Sequence, residues 1–276
     1  MHRVSSRTAA FSLIEILVVI AIIAVLTAIV IPTYGHVRTV ANRTASASNL
    51  RQWGIALQLH LQETRGRLPW EVVKSSSDRP SWAEVDNPDY ATCWFNALPP
   101  YVGQSPLSAT PAVDRDRNNK SPSYLREGSL FYAAGADVEA SRRSLANKPT
   151  FCYMMNSQIY SNASPQEGGV KMRDDPKGMR ISAFPDGAKL SRIAFMTESV
   201  LDPQTERPTG GEDYNSSRAK GDGTAVTARY GGRTNISFLD GSVRTYDSDY
   251  VVKRLGGKYV RADKPEIAWA VWEYPW

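Results

Sequence analysis

Phe11–Ile31 reads FSLIEILVVIAIIAVLTAIVI, 21 residues whose only ionisable side chain is Glu15. As a helix rising about 1.5 Å per residue, the stretch is long enough to cross a bilayer. A carboxylate inside an apolar span is costly, and such residues are functional candidates by default. No basic residue lies within the span, so a partner for Glu15 has to come from elsewhere. The plainer reading is an anchor whose Glu15 reaches up to the headgroups.

The flanks distinguish the two readings. A polar leader, MHRVSSRTAA, precedes the span with His2, Arg3 and Arg7, and Pro32 follows it directly. A conventional secretory signal has an apolar core of about 7–15 residues with an A-x-A site close behind. Here the nearest such match, Ala45-Ser46-Ala47, lies well past the span. The anchor is therefore expected to be kept, with the leader on the cytoplasmic side and the bulk of the chain exported.

Ala10-Phe11-Ser12-Leu13-Ile14-Glu15 resembles the class III signal of type IV pilins and type II secretion pseudopilins. The resemblance implies cleavage between Ala10 and Phe11 by a prepilin peptidase and N-methylation of Phe11. Glu15 then becomes fifth in the mature chain and Pro32 twenty-second. Ala10 stands where that family usually has Gly. The freed Phe11 amine lies one turn from Glu15, or within reach of a neighbouring subunit's Glu15. Only one axial offset lets such charges meet, so the pair would set register. Pro32 removes a backbone donor and is expected to kink or loosen the helix.

Beyond Pro32, Val40, Thr44, Ala47, Leu50, Gly54, Leu57 and Leu61 follow helical spacing along one stripe. Small residues come first, allowing close approach. Leu50, Trp53, Leu57 and Leu61 are suited to packing on a sheet. Arg65-Gly66-Arg67-Leu68-Pro69 supplies a stop. The result is a helix of about 50 residues, far above the globular mean, as in a pilin stem. A bundle or coiled-coil helix would carry the same stripe.

The remainder reads as a polar head with many of the chain's 17 Pro and 19 Gly. Segment 69–124 is irregular, with Cys93–Leu98 as a packed helical turn. Asp114–Asn119 has oxygen ligands at alternate positions, but Asn119 and Leu125 stand where a calcium loop needs Gly and Glu, and a solvated loop is expected. Strands are expected at Phe151–Asn156 and Leu190–Thr197, with 201–223 an exposed flap. Thr234–Leu239 and Ser242–Tyr246 flank Asp240-Gly241 as a hairpin with a type I′ turn. Tyr230 through Asp240-Gly241 also resembles the His-x9-Asp-Gly signature of a C-terminal domain on pseudopilin-like proteins, with Tyr230 replacing the His. The Trp-rich tail 265–276 is expected to close a core, with Trp269 and Trp272 on one face of a helical turn. The fold class is α+β: leader 1–10, membrane helix 11–31, exported half of the stem 32–64, and a mainly antiparallel head 65–276.

Formal charge is +5, and loss of Arg3 and Arg7 with the leader leaves +3. Basic residues form no run of five, so nucleic acid is not an expected partner. Cys93 and Cys152 admit two readings, a disulfide closing a 60-residue loop or two separate buried thiols. No C-x-x-C, P-loop, G-x-S-x-G or H-E-x-x-H is present. His2, His36 and His60 are not placed for triad chemistry, and Glu198 reads as a surface or hairpin-capping carboxylate. No enzyme activity and no cofactor are expected. By analogy with pseudopilins that carry a calcium loop, Glu212, Asp213 and Asp222 are weak calcium candidates. The expected partners are a prepilin peptidase, further pseudopilins and an inner-membrane assembly platform. The alternatives are a minor tip subunit that binds cargo or a surface polymer, and an anchored periplasmic enzyme using the span as a tether.

Overall fold

In the computed structural model a single helix, α1, runs from Leu13 to Glu63, 51 residues. The structure describes residues 13–72, 79–116, 118–139, 147–160, 179–202, 205–206, 218–221, 223–255 and 258–271. The chain divides into two compact units, Met1–Ala41 and Asn42–Trp276. The helix continues through position 32, so the donor missing from Pro32 does not end it. Thr27 and Thr33 donate their hydroxyls to carbonyls three and four residues back, which satisfies polar groups on an otherwise apolar surface. The helix stops as the sequence suggests, except that Arg65 (φ 57°) takes a left-handed conformation as well as Gly66 (φ 81°). The Gly66 amide returns to the Leu61 carbonyl at 2.6 Å.

In the second unit, Leu50, Trp53, Leu57 and Leu61 are buried, whereas Ile55 and Leu59 on the opposite face are exposed. Trp53 shares one buried core with strand residues such as Met155 and Phe195. It sits edge-on to Trp94 at 5.1 Å and to Phe131 at 5.4 Å, and donates Nε1–H to the Leu130 carbonyl. The irregular segment is thus a packed aromatic layer built from single turns. Trp82–Val85 is capped by a Ser81/Glu84 capping box, and Trp94–Ala97 is the expected helical turn. Asp114 is buried rather than solvated, accepting from Asn119 at 2.9 Å and from Ser123. It ties its loop shut. Cys93 and Cys152 are buried and not joined to each other by a disulfide in this structure, and burial raises the Cys152 pKa to about 11.

Strands β1 (Tyr153–Asn156), β2 (Ala194–Glu198), β3 (Lys220–Gly221), β4 (Arg233–Phe238) and β5 (Val243–Asp247) form one sheet in the order β3-β1-β2-β4-β5. All pairs are antiparallel except β1 with β3. Strands β6 (Val252–Leu255) and β7 (Lys258–Arg261) form a separate hairpin. The described ends of the expected flap contribute core: Leu201, Glu206, Ala219 and Lys220 are buried, and Lys220 pairs with buried Glu71 at 3.3 Å, while 207–217 lie outside the described residues. The tail is not helical through Trp269. Ile193 and Lys264 make β-bridges to Ala268 and Ile267, and buried Asn156 donates to the Trp269 carbonyl at 2.7 Å. Trp272 lies outside the described residues.

The β4–β5 connection differs from a two-residue I′ turn. Only Gly241 has positive φ (84°), and its amide donates to the Phe238 carbonyl at 2.9 Å. This is a turn over Phe238–Gly241 with glycine in the left-handed bulge position, and Asp240 accepts from the Ser242 amide. The shift places the turn backbone directly on α1. A Cβ at Gly54 would stand 2.9 Å from the Gly241 Cα, and Gln58 donates to the Leu239 carbonyl at 2.7 Å. We expect Gly54→Val to lower head stability by about 1–3 kcal/mol through overpacking. Thermal unfolding of the full chain in detergent measures this, and an unchanged Tm would refute the backbone contact.

Candidate functional site

Two regions hold the residues that sequence reading singles out. The first is the N-terminal part of α1. Its large side chains from Leu13 to Ile31 are all at least half exposed except Val18 at 49%, so among the described residues a continuous apolar surface is left largely open. Glu15 lies in the first turn of this helix. The helix is long and apolar enough to cross a membrane. Ala10 and Phe11, the implied processing positions, lie outside the described residues, as do Glu212, Asp213 and Asp222.

The second region is a polar cluster inside the head. Glu198 ends β2, follows four buried residues and is itself fully buried, which corrects its reading as a surface carboxylate. Its Oε1 accepts from Ser46 on α1 and from Asn235 Nδ2 at 3.1 Å; its Oε2 accepts from the Asn235 amide at 2.9 Å. Ser46 also shares a 2.8 Å hydrogen bond with the Tyr153 hydroxyl on β1, and Asn235 Nδ2 donates to the Arg43 carbonyl at 3.1 Å. One carboxylate thereby joins α1, β1, β2 and β4. Nearby Arg229 grips Glu206 with Nε at 2.7 Å and Nη2 at 2.9 Å, both ions being buried.

Tyr230, at the signature position, is buried in the same neighbourhood and donates its hydroxyl to the Ala134 carbonyl at 3.1 Å. Burial pushes its pKa up, so it stays a neutral phenol. Desolvation also raises the Glu198 pKa, opposed by the charge of Arg229 and by the Ser46 and Asn235 donors. The cluster has donors, acceptors and charge, but Glu198 and Ser46 have no exposed surface for a reactant to approach. Its chemistry is that of a structural joint. An open groove of about 620 Å³ lies elsewhere, lined by Gln104, Thr110, Ser123 and Arg126 among others. Among the described residues no three His, Cys, Asp or Glu side chains are grouped to hold a metal.

Sequence reading singled out Glu198 and Tyr230 separately and missed Ser46, Asn235, Arg229 and Glu206. The available signal was a carboxylate ending an otherwise apolar strand, Ala194-Phe195-Met196-Thr197-Glu198. Its partners are 36 or more positions away in most cases, beyond any local pattern.

Glu198→Ala would leave the Asn235 donors and Ser46 without their acceptor, and we expect a loss of about 2–4 kcal/mol. The pH dependence has a definite sign. A carboxyl whose pKa is raised on folding contributes stability that is full below its unfolded pKa and is lost as pH rises through the folded value. Glu198→Gln should therefore flatten that downward slope. His60 acts oppositely: burial lowers its pKa, so its contribution is full above 6.5 and is lost as pH falls. Denaturant unfolding at several pH values reads both slopes; identical curves for wild type and Glu198→Gln would defeat the assignment.

A comparison with protein families matches residues 5–31 to the prokaryotic N-terminal methylation motif. No curated protein and no solved structure matches the chain. The matched residues contain the leader's end, the implied cleavage position, Glu15 and the exposed apolar helix. The long helix leading into an α+β head agrees with a pilin-like stem and head. Residues 5–31 thus carry the prokaryotic N-terminal methylation motif, which supports their reading as a class III prepilin signal.

Proposed function

We propose that this chain is a structural subunit that polymerises into a type IV pilus-like filament or a type II secretion pseudopilus. A prepilin peptidase removes leader 1–10 after Ala10, and Phe11 becomes the methylated N-terminus. The subunit waits in the inner membrane through helix 11–31, with stem residues 32–64 and head 65–276 outside the cytoplasm. The observation that carries this reading is the methylation motif in register with an apolar helix surface left exposed among the described residues. Removing that surface from lipid against neighbouring stems supplies packing contacts, and a Glu15–Phe11 amine pair selects the axial offset. Pro32 gives the stem a weakened point between membrane and head. Force and ATP hydrolysis come from an assembly platform.

The test is the intact mass and N-terminal sequence of protein recovered from membranes of cells with and without an active prepilin peptidase. A methylated Phe11 terminus only in the presence of the peptidase is the expected result; an uncleaved Met1 start in both would end the proposal. With processing established, Glu15→Leu should still be cleaved yet yield at least about tenfold less filament, the effect of ~1.4 kcal/mol lost per contact. Normal filament yield from Glu15→Leu would remove Glu15 from the register role.

A further inference from the structure

The groove of about 620 Å³ on the head shares no lining residue with the Glu198 cluster, and it has the size of a small-ligand site, roughly 300–1,000 Å³. Its walls come from chain segments 104–111 and 123–131, and both are fixed from behind. On the first, the Thr110 amide donates to the Leu107 carbonyl at 3.1 Å, and the Thr110 carbonyl accepts from Arg115 Nε at 2.8 Å. Arg115 is itself held by Asp86 and lies over the Trp82 ring at 4.9 Å. On the second, Ser129 donates its hydroxyl to the Tyr124 carbonyl at 2.7 Å, and Asn49 on α1 donates to the Ser129 carbonyl at 3.2 Å. The Tyr124 and Phe131 rings, 6.4 Å apart and both buried, pack edge to face. Walls anchored in this way make a preformed site.

Three polar side chains in these walls are left over. Thr110 keeps only 8% of its surface and has both main-chain groups bonded, yet its hydroxyl has no hydrogen-bond partner among the described residues. A nearly buried hydroxyl is costly unless water or a ligand reaches it, and Thr110 lines the groove. Arg126 commits Nε and Nη2 to Ser121, which pins the guanidinium and leaves Nη1 without a hydrogen bond among the described residues. Glu127 is exposed and makes no hydrogen bond or ion pair among the described residues.

The remaining groups select a ligand by exclusion. One guanidinium and one carboxylate cancel, so neither an anion nor a cation is favoured. The aromatic rings are buried, so an apolar chain finds little to cover. A peptide strand finds no open edge, because the Ala109, Thr110, Leu125 and Ser129 amides are spent within their own turns and Pro106 and Pro111 have none. The groove suits a neutral ligand whose polar groups each donate and accept. From this we infer that it binds a neutral saccharide, with ring hydroxyls donating to the Glu127 carboxylate, accepting from Arg126 Nη1 and sharing a hydrogen bond with the Thr110 hydroxyl. Binding of this kind is a property of the head and does not depend on polymerisation of the stem.

The test is calorimetric titration of the full chain in phosphatidylcholine nanodiscs, free of glycosidic detergent, with cellotriose, maltotriose, mannotriose and chitotriose. We expect saturable one-to-one binding of at least one trisaccharide. Thr110→Val and Glu127→Ala should each weaken it about fivefold or more, the worth of one hydrogen bond, with the Tm unchanged. Should Thr110→Val lower the Tm, Glu127→Ala, on an exposed side chain, carries the test alone. No saturation by any of the four at millimolar concentration would overturn the inference. So would binding that Glu127→Ala leaves intact, which would place the sugar elsewhere. Binding of triproline or tetraalanine in place of every sugar would overturn it in favour of a peptide ligand. None of these results bears on processing at Phe11, so the filament reading stands or falls separately.

Discussion

A carboxylate enclosed by protein has to be given donors, and whatever gives them is fixed in place. Glu198 is such a group, and its donors come from α1 through Ser46 and from β4 through Asn235. Ser46 passes the constraint on to Tyr153 of β1, and Asn235 returns it to the α1 backbone at Arg43. The stem helix cannot slide or rotate against the sheet without leaving a buried charge or donor unmet, at a cost of several kcal/mol. Two to three turns further on, the backbone contact of Gly54 with Gly241 and the Gln58–Leu239 hydrogen bond hold the same interface by shape.

The two faces of α1 follow from this arrangement. Within the head, one face carries Leu50, Trp53, Leu57 and Leu61 into an aromatic core, and the other leaves Ile55 and Leu59 to solvent. Before the head, the apolar character goes all the way round, as expected of a helix meant for lipid or for neighbouring stems rather than for its own fold. A single element thus changes role along its length without a break in its hydrogen-bonded ladder.

Tyr230 has a structural place inside the head. The phenol sits beside Arg229 and donates to the Ala134 carbonyl, a packing and hydrogen-bonding role that needs no ionisable ring. Arg229 in turn is neutralised by Glu206, which the sequence places in a loop expected to be exposed. The head's polar interior is therefore assembled from chain segments that look like surface when read singly.

What the sequence determined by itself was everything governed by a local period or a fixed short register. The span Phe11–Ile31, the stripe from Val40 to Leu61, the stop at Gly66 and the Asp-Gly hairpin are set by hydrophobic spacing and by glycine's access to positive φ. The tertiary structure alone decided the rest. It moved the hairpin turn back so that Gly241 meets Gly54, and it made the irregular segment around Trp94 and Phe131 the partner of Trp53. It also buried Glu198, Asp114 and Glu206, which composition assigns to water. A polar residue's burial depends on whether distant segments bring it donors, and that information is not local in the chain.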